Sequence, residues 1–120
     1  MIVCNSTPLI YLAKLNKLDL LRKLFLEVTI PKAVYEEVVV IGNEKNYIDA
    51  KIVEKAVNEG WLSIRETGTL DLLKDIGIHK GELESISLAK NIKADILLDQ
   101  THARYAAEMA GLKPDRKSVV

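Results

Sequence analysis

The side chains that say most about chemistry are oxygen donors standing where the surrounding pattern calls for apolar residues. Asn5 follows the short apolar run Ile2-Val3-Cys4, and Asp99 follows Ile96-Leu97-Leu98. Both runs are too brief for a helix and read as buried strands, which puts both polar residues at strand carboxyl ends. Each has a plainer role open to it, that of an N-cap accepting bonds from the first amides of the next helix. Two further acids interrupt helical stripes. At about 100° per residue, Leu83, Ile86, Leu88, Ala89 and Ile92 share one arc, with Glu82 near its middle and Ser85 on the same side. Glu84 falls outside that arc and is expected to face solvent. After Pro31, residues Ala33, Val34, Val38 and Ile41 define an apolar face; Glu37 lies between Ala33 and Val34 on the wheel, and Glu36 points elsewhere. The plainer readings are a favourable charge at a helix N-terminus for Glu82, and a solvated stripe edge or an ion pair with Lys32 for Glu37.

A carboxylate centred on a core-facing stripe must be paired, protonated or bound to a cation, because its uncompensated burial is costly. Gathered at one end of a sheet, Asn5, Glu37, Glu82 and Asp99 would offer hard oxygen donors of the kind Mg²⁺ takes. A cation held that way can activate water and stabilise an in-line phosphoryl displacement. Other chemistries have less behind them. His79 and His102 have no evident triad partners, and two His with one Cys fall short of a structural zinc set. Cys4 reads as a buried apolar filler rather than a nucleophile. The six glycines do not cluster, so no phosphate-cradling loop is present. Asn5-Ser6-Thr7 matches the glycosylation pattern, which has meaning only on a secreted chain and is read as coincidence.

The elements that must position these residues alternate between strand and helix. Ser6-Thr7-Pro8 supplies a hydroxyl cap and a proline suited to the first helical position. Helices are expected over 9–15 and 18–25, a β-branched strand over 28–30, and a helix from Pro31 to near Val40. An amphipathic helix over 47–58 stops at Gly60, and 61–64 alternates as a strand. A helix from Gly81 to near Asn91 leads to a strand over 94–98, and 101–110 reads as a last helix ended by Gly111, with Pro114 beyond. Residues 42–46 and 67–69 read as loops. Buried Val/Ile/Leu-rich strands alternating with helices predict an α/β fold with a parallel sheet covered by helices, whose ligands gather outside the strands' carboxyl ends. The stripe Ala103, Ala106, Ala107 and Ala110 is a smooth face suited to packing on that sheet.

Composition bounds the function classes. The chain has 120 residues, 17 basic and 17 acidic, a formal net charge of zero, and 48% hydrophobic residues. A single domain over 1–120 is expected, able to bury roughly two-thirds of the surface its unfolded chain exposes. The balance excludes a strongly basic nucleic-acid arm, an acidic tail and a charge-rich disordered chain. One cysteine excludes a disulfide framework and fits a reducing cytoplasm. No apolar run approaches the roughly 18 residues of a membrane span, and the first ten residues lack the features of a secretion signal.

Several blocks in order, Ile2-Val3-Cys4-Asn5-Ser6-Thr7-Pro8-Leu9-Ile10, Leu18-Asp19-Leu20-Leu21 and Ile30-Pro31-Lys32-Ala33-Val34-Tyr35-Glu36-Glu37-Val38, resemble the PIN-domain superfamily. Within it, they look like prokaryotic PIN-like proteins related to the VapC toxins of toxin–antitoxin pairs. Gly81-Glu82-Leu83-Glu84-Ser85-Ile86 and Leu97-Leu98-Asp99 with Ala103-Arg104 also fit, so the resemblance spans residues 1 to 112. It implies a three-layer α/β/α sandwich with a central parallel sheet, and an acidic pocket that binds Mg²⁺ or Mn²⁺ and cleaves RNA by metal-activated water. The family's first acid falls on Asn5, its second on Glu37, its third on Glu82 or Glu84, and its fourth on Asp99. Ser6 and Thr7 match the hydroxyl residues after the first acid.

Three departures qualify what the resemblance implies. Asn5 replaces the usual Asp, so one negative charge is lost and weaker metal affinity is expected. Gln100 follows Asp99 where a second acid would be unsurprising. Relatives continue past Pro114 into another strand and helical segment, whereas six residues remain here, so a shortened C-terminus is expected. Two functions stand against each other: a toxin-type endoribonuclease with RNA as substrate, and a catalytically impaired PIN-like module that binds RNA or protein. The resemblance further implies a small antitoxin as partner and a homodimer. Leu20, Leu24 and Phe25 are candidates for its interface, although a core role is the preferred reading. With no net basic excess, an RNA partner would have to be met by a local patch of Lys and Arg.

Overall fold

The computed structural model describes residues 1–67 and 80–101. Strand β1 (Ile2–Cys4) leads into helix α1 (Ser6–Lys14), then α2 (Asp19–Leu24) and strand β2 (Val28–Pro31). Helix α3 (Lys32–Tyr35) runs on through a π-helical stretch (Glu36–Ile41) into α4 (Gly42–Glu44). Then come α5 (Ile48–Asn58), strand β3 (Leu62–Arg65), helix α6 (Lys80–Ile92) and strand β4 (Asp95–Leu97). The strands form one sheet in the order β3-β2-β1-β4, with every pairing parallel. Burial along the strands follows that order. All of β1 and β2 is buried, whereas β3 buries only Leu62 and β4 only Leu97, as befits edge strands.

Alternation along β1 divides the core between the two faces of the sheet. Ile2 and Cys4 join Leu9, Leu12, Leu21, Val53 and Ala56 in the larger cluster, beneath α1, α2 and α5. Val3 faces the other way and packs with Leu88 and Ala89 of α6. Helices therefore cover both faces, the three-layer α/β arrangement the sequence predicts. On α5, Ala50, Val53 and Ala56 recur three apart and are all buried, which is the amphipathic stripe read from the sequence. Leu20 is buried, and Phe25 packs on the larger cluster, so this region serves the core. Among the described residues, no helix is long and apolar enough to cross a membrane.

Several boundaries differ from expectation, for identifiable reasons. Helix α1 starts at Ser6, so Pro8 lies inside the first turn, where its missing amide has no intrahelical partner to lose. The helix begun after Pro31 does not stop near Val40 but continues to Glu44, and the expected loop 42–46 shrinks to a turn at Lys45 and Asn46, with Asn46 at φ 59°. Gly42, which suggests a turn in sequence, marks a close approach instead: a Cβ there would lie 2.7 Å from the Ala50 Cβ. The helix expected over 101–110 beyond Thr101, its alanine stripe, the extent of the C-terminus, Gly68 and Thr69, and His79, His102 and Arg104 lie outside the described residues.

Candidate metal centre

The sheet order reverses between β1 and β4, and a crevice outside the carboxyl ends at such a point is where open α/β sheets bind ligands. Asn5 stands there, extended in backbone and 5% exposed. Its side chain caps nothing; it ties three elements together. The Asn5 amide N–H donates to Leu97 O (2.9 Å), and Nδ2 donates to Leu98 O (3.2 Å), just beyond β4. Asn5 Oδ1 lies 3.2 Å from Ser85 Oγ of α6, whose one proton is shared between that oxygen and the nearer Gly81 O (2.8 Å).

Glu37 comes to the same place from the π-helical stretch. A Cβ built on Gly81 would lie 2.9 Å from Glu37 Oε1, 3.5 Å from Val34 Cγ2 and 4.0 Å from Asn5 Oδ1. Both oxygens are thus within 4.0 Å of one point above a residue with no side chain to fill it. Ala33, Glu36, Glu37, Ile41, Lys80 and Gly81 line the cleft that opens there. The ion pair considered for Glu37 is not made: Lys32 reaches Glu66 instead, at 3.4 Å.

The acids of α6 reverse the expectation from the helical wheel. Glu84, expected in solvent, is 9% exposed, and its Oε1 accepts from the Ala33 amide at 3.2 Å. Glu82 is half-buried in the first turn. The wheel errs because it takes its direction from apolar residues alone. The buried face of α6 includes Gly81, Ser85 and Ser87, small residues that let the helix pack closely on α3 and the sheet. Asp99 follows β4 at the same end of the sheet as Asn5, and is exposed.

Parallel topology, the acidic helix pair and the convergence of Asn5 with Glu37 all lie within a stretch, residues 1–115, that matches the family described as PIN domain. The chain belongs to the PIN-domain family. No curated protein and no solved structure matches it. PIN domains are nuclease-like, generally use divalent metals and bind RNA.

The donors of this PIN domain suit such an ion in kind. Those that converge are oxygens, the hard ligands Mg²⁺ and Mn²⁺ take, with water completing the shell. The convergence is of Glu37 with the neutral Asn5; among the described residues, no three of His, Cys, Asp and Glu gather as a cage. Cys4 adds nothing to the site. Its thiol is fully buried, donates to Asn5 O at 3.5 Å, and is pushed by burial well above the ordinary thiol range, so it stays neutral. Sequence reasoning missed the supporting residues of the site. In sequence, Ser85 reads only as a neighbour of Glu82 and Gly81 only as a helix start; the polar-and-small pattern Gly81, Glu84, Ser85 at helical spacing is the signal that marks them.

Proposed function

We propose that this PIN domain is a Mg²⁺- or Mn²⁺-dependent endoribonuclease of the VapC toxin type, acting on RNA phosphodiesters. The observation that carries the reading is the approach of Glu37 Oε1 and Asn5 Oδ1 to one point above bare Gly81, at the carboxyl end of a parallel sheet. Asn5 and Glu37 would hold the ion, with Glu82 and Asp99 as the flanking acids. When bound, the cation supplies Lewis acidity, lowering the pKa of a water and offsetting charge on the phosphoryl group.

The chain's own residues do the rest. The Ser85 hydroxyl orients the Asn5 carbonyl oxygen, and Asn5 Nδ2 fixes the amide against Leu98 O. Exposed Lys80 lines both the cleft of Glu37 and the neighbouring one of Lys32, Glu66 and Glu84, which supports a role for its charge in meeting an RNA phosphate. A small antitoxin as partner, a homodimer and a cytoplasmic setting extend the same reading. A second reading, a catalytically impaired module that binds RNA or protein, is favoured by one observation: Asn5 is a neutral amide already committed to two hydrogen bonds.

Cleavage of a panel of structured RNAs in Mg²⁺, in Mn²⁺ and in EDTA separates the two. The nuclease reading expects cation-dependent cutting that Glu37→Gln slows by about 100-fold or more, the scale of losing a group that tunes a metal site. An inert protein that nevertheless binds Mn²⁺ in calorimetry supports the impaired module. Absence of Mn²⁺ binding sinks the metal reading altogether.

A further inference from the structure

We propose that Glu84 is a positioning residue, the cap that fixes the start of α3 and so the approach of Glu37, and that the acid on α6 facing the cation is Glu82. The inference rests on the reading of this pocket as a cation site and assigns the division of labour within it.

Helix α3 has no cap of its own. The residue before it is Pro31, whose ring carries no acceptor, and no side chain at that position bonds to the first turn. First-turn amides lack intrahelical partners, so one enclosed by protein must find an acceptor elsewhere. Ala33 is buried, and its N–H finds Glu84 Oε1, 51 residues further along the chain. A carboxylate is the strongest acceptor available for that place, because it adds charge–dipole attraction to the hydrogen bond.

The bond sets a register. Ala33 and Glu37 are four apart on one helix, and Gly81 and Glu84 are three apart on the other. Glu84 meets Ala33 while Gly81 meets Glu37, so the two helices touch antiparallel at points one turn apart. Holding the Ala33 contact holds the level at which Glu37 crosses Gly81. It also places the Glu84 carboxylate a turn away from Glu37 along α3, engaged with an amide. Round α6, at about 100° per residue, half-buried Glu82 falls about 60° from Ser85, whose hydroxyl meets Asn5, and on the side away from Glu84.

Glu84→Gln and Glu84→Leu divide the alternatives, with Glu82→Gln and Glu37→Gln for comparison. The measurements on the full chain are Mn²⁺ affinity by calorimetry and amide exchange at Ala33. A glutamine keeps a carbonyl oxygen for the Ala33 amide but removes the charge a ligand would need. Glu84→Gln is therefore expected to hold Mn²⁺ affinity within about twofold and keep Ala33 protected, while Glu82→Gln loses about tenfold or more, as does Glu37→Gln. Glu84→Leu should expose Ala33 to exchange and weaken Mn²⁺ binding together. The proposal is overturned if Glu84→Gln costs as much Mn²⁺ affinity as Glu82→Gln, or if Glu84→Leu leaves Ala33 protected. Should the unaltered protein bind no Mn²⁺, the cation reading and the assignment of Glu82 fall. Exchange at Ala33 then decides the capping role alone.

Discussion

The amide of Asn5 uses both its ends, Nδ2 toward Leu98 O and Oδ1 toward the Ser85 hydroxyl. A carbonyl oxygen has no proton to give, so the atom facing Leu98 must be the donor. An Asp at this position would turn a carboxylate oxygen toward that carbonyl, in a place only 5% exposed. An acid at position 5 is therefore two changes at once: it adds charge for a cation and removes a hydrogen bond from the apo fold. Asn5→Asp is expected to cost about 1–3 kcal/mol of stability in EDTA, the scale for leaving a buried polar group unsatisfied. A cation that binds only the folded state returns about 2.7 kcal/mol at a hundred times its dissociation constant. Melting curves in EDTA and in Mn²⁺ test this, with a larger Mn²⁺-induced rise expected for the variant than for the unaltered chain. Equal melting temperatures in EDTA would show that the Leu98 contact contributes nothing.

At the scale of elements, the site is made by two helices meeting over a missing side chain. Alanine at position 81 favours a helix by about 1 kcal/mol over glycine, so propensity alone predicts a stabilising change. The added Cβ would nevertheless lie 2.9 Å from Glu37 Oε1, the far end of a flexible side chain, and 3.5 Å from Val34 Cγ2, an ordinary contact. Glu37 can swing away more readily than α6 can move. Gly81→Ala is therefore expected to melt no lower than the unaltered chain yet bind Mn²⁺ about tenfold or more weakly, a split that calorimetry beside a thermal melt reveals. A drop in both together would mean the helices themselves separate. The same contrast shows what the sequence could convey. Buried strands and amphipathic stripes repeat locally, so β1, β2, α5 and the carboxyl-end placement of Asn5 and Asp99 were legible from type and spacing. Gly42 and Glu84 were not, because each is explained by a partner distant in sequence: Gly42 by Ala50, and Glu84 by Ala33. A wheel drawn from one helix has no view of the orphan amide of another.

For the whole molecule, β1 is the element on which both cores and the site depend. It is bonded to β2 on one side and β4 on the other, sends Ile2 and Cys4 into one core and Val3 into the other, and ends at Asn5. Such a strand opens only when the sheet parts in its middle, so its exposure should track global unfolding rather than local fraying. Cys4 reports on it without any added probe. The thiol is 0% exposed, and burial raises its pKa, so the folded chain presents no thiolate to an electrophile. Alkylation by iodoacetamide is then expected to proceed through the unfolded fraction alone. If Asn5 and Glu37 hold a cation only in the folded state, Mn²⁺ at a hundred times its dissociation constant should lower that fraction, and the labelling rate, by about 100-fold. The experiment joins fold and site in one number: the slowing by Mn²⁺ should match the stabilisation seen in unfolding curves at the same concentration. Labelling much faster than those curves allow, or unslowed where they show stabilisation, would mean that β1 opens by a local route and that the two cores do not share a single cooperative unit.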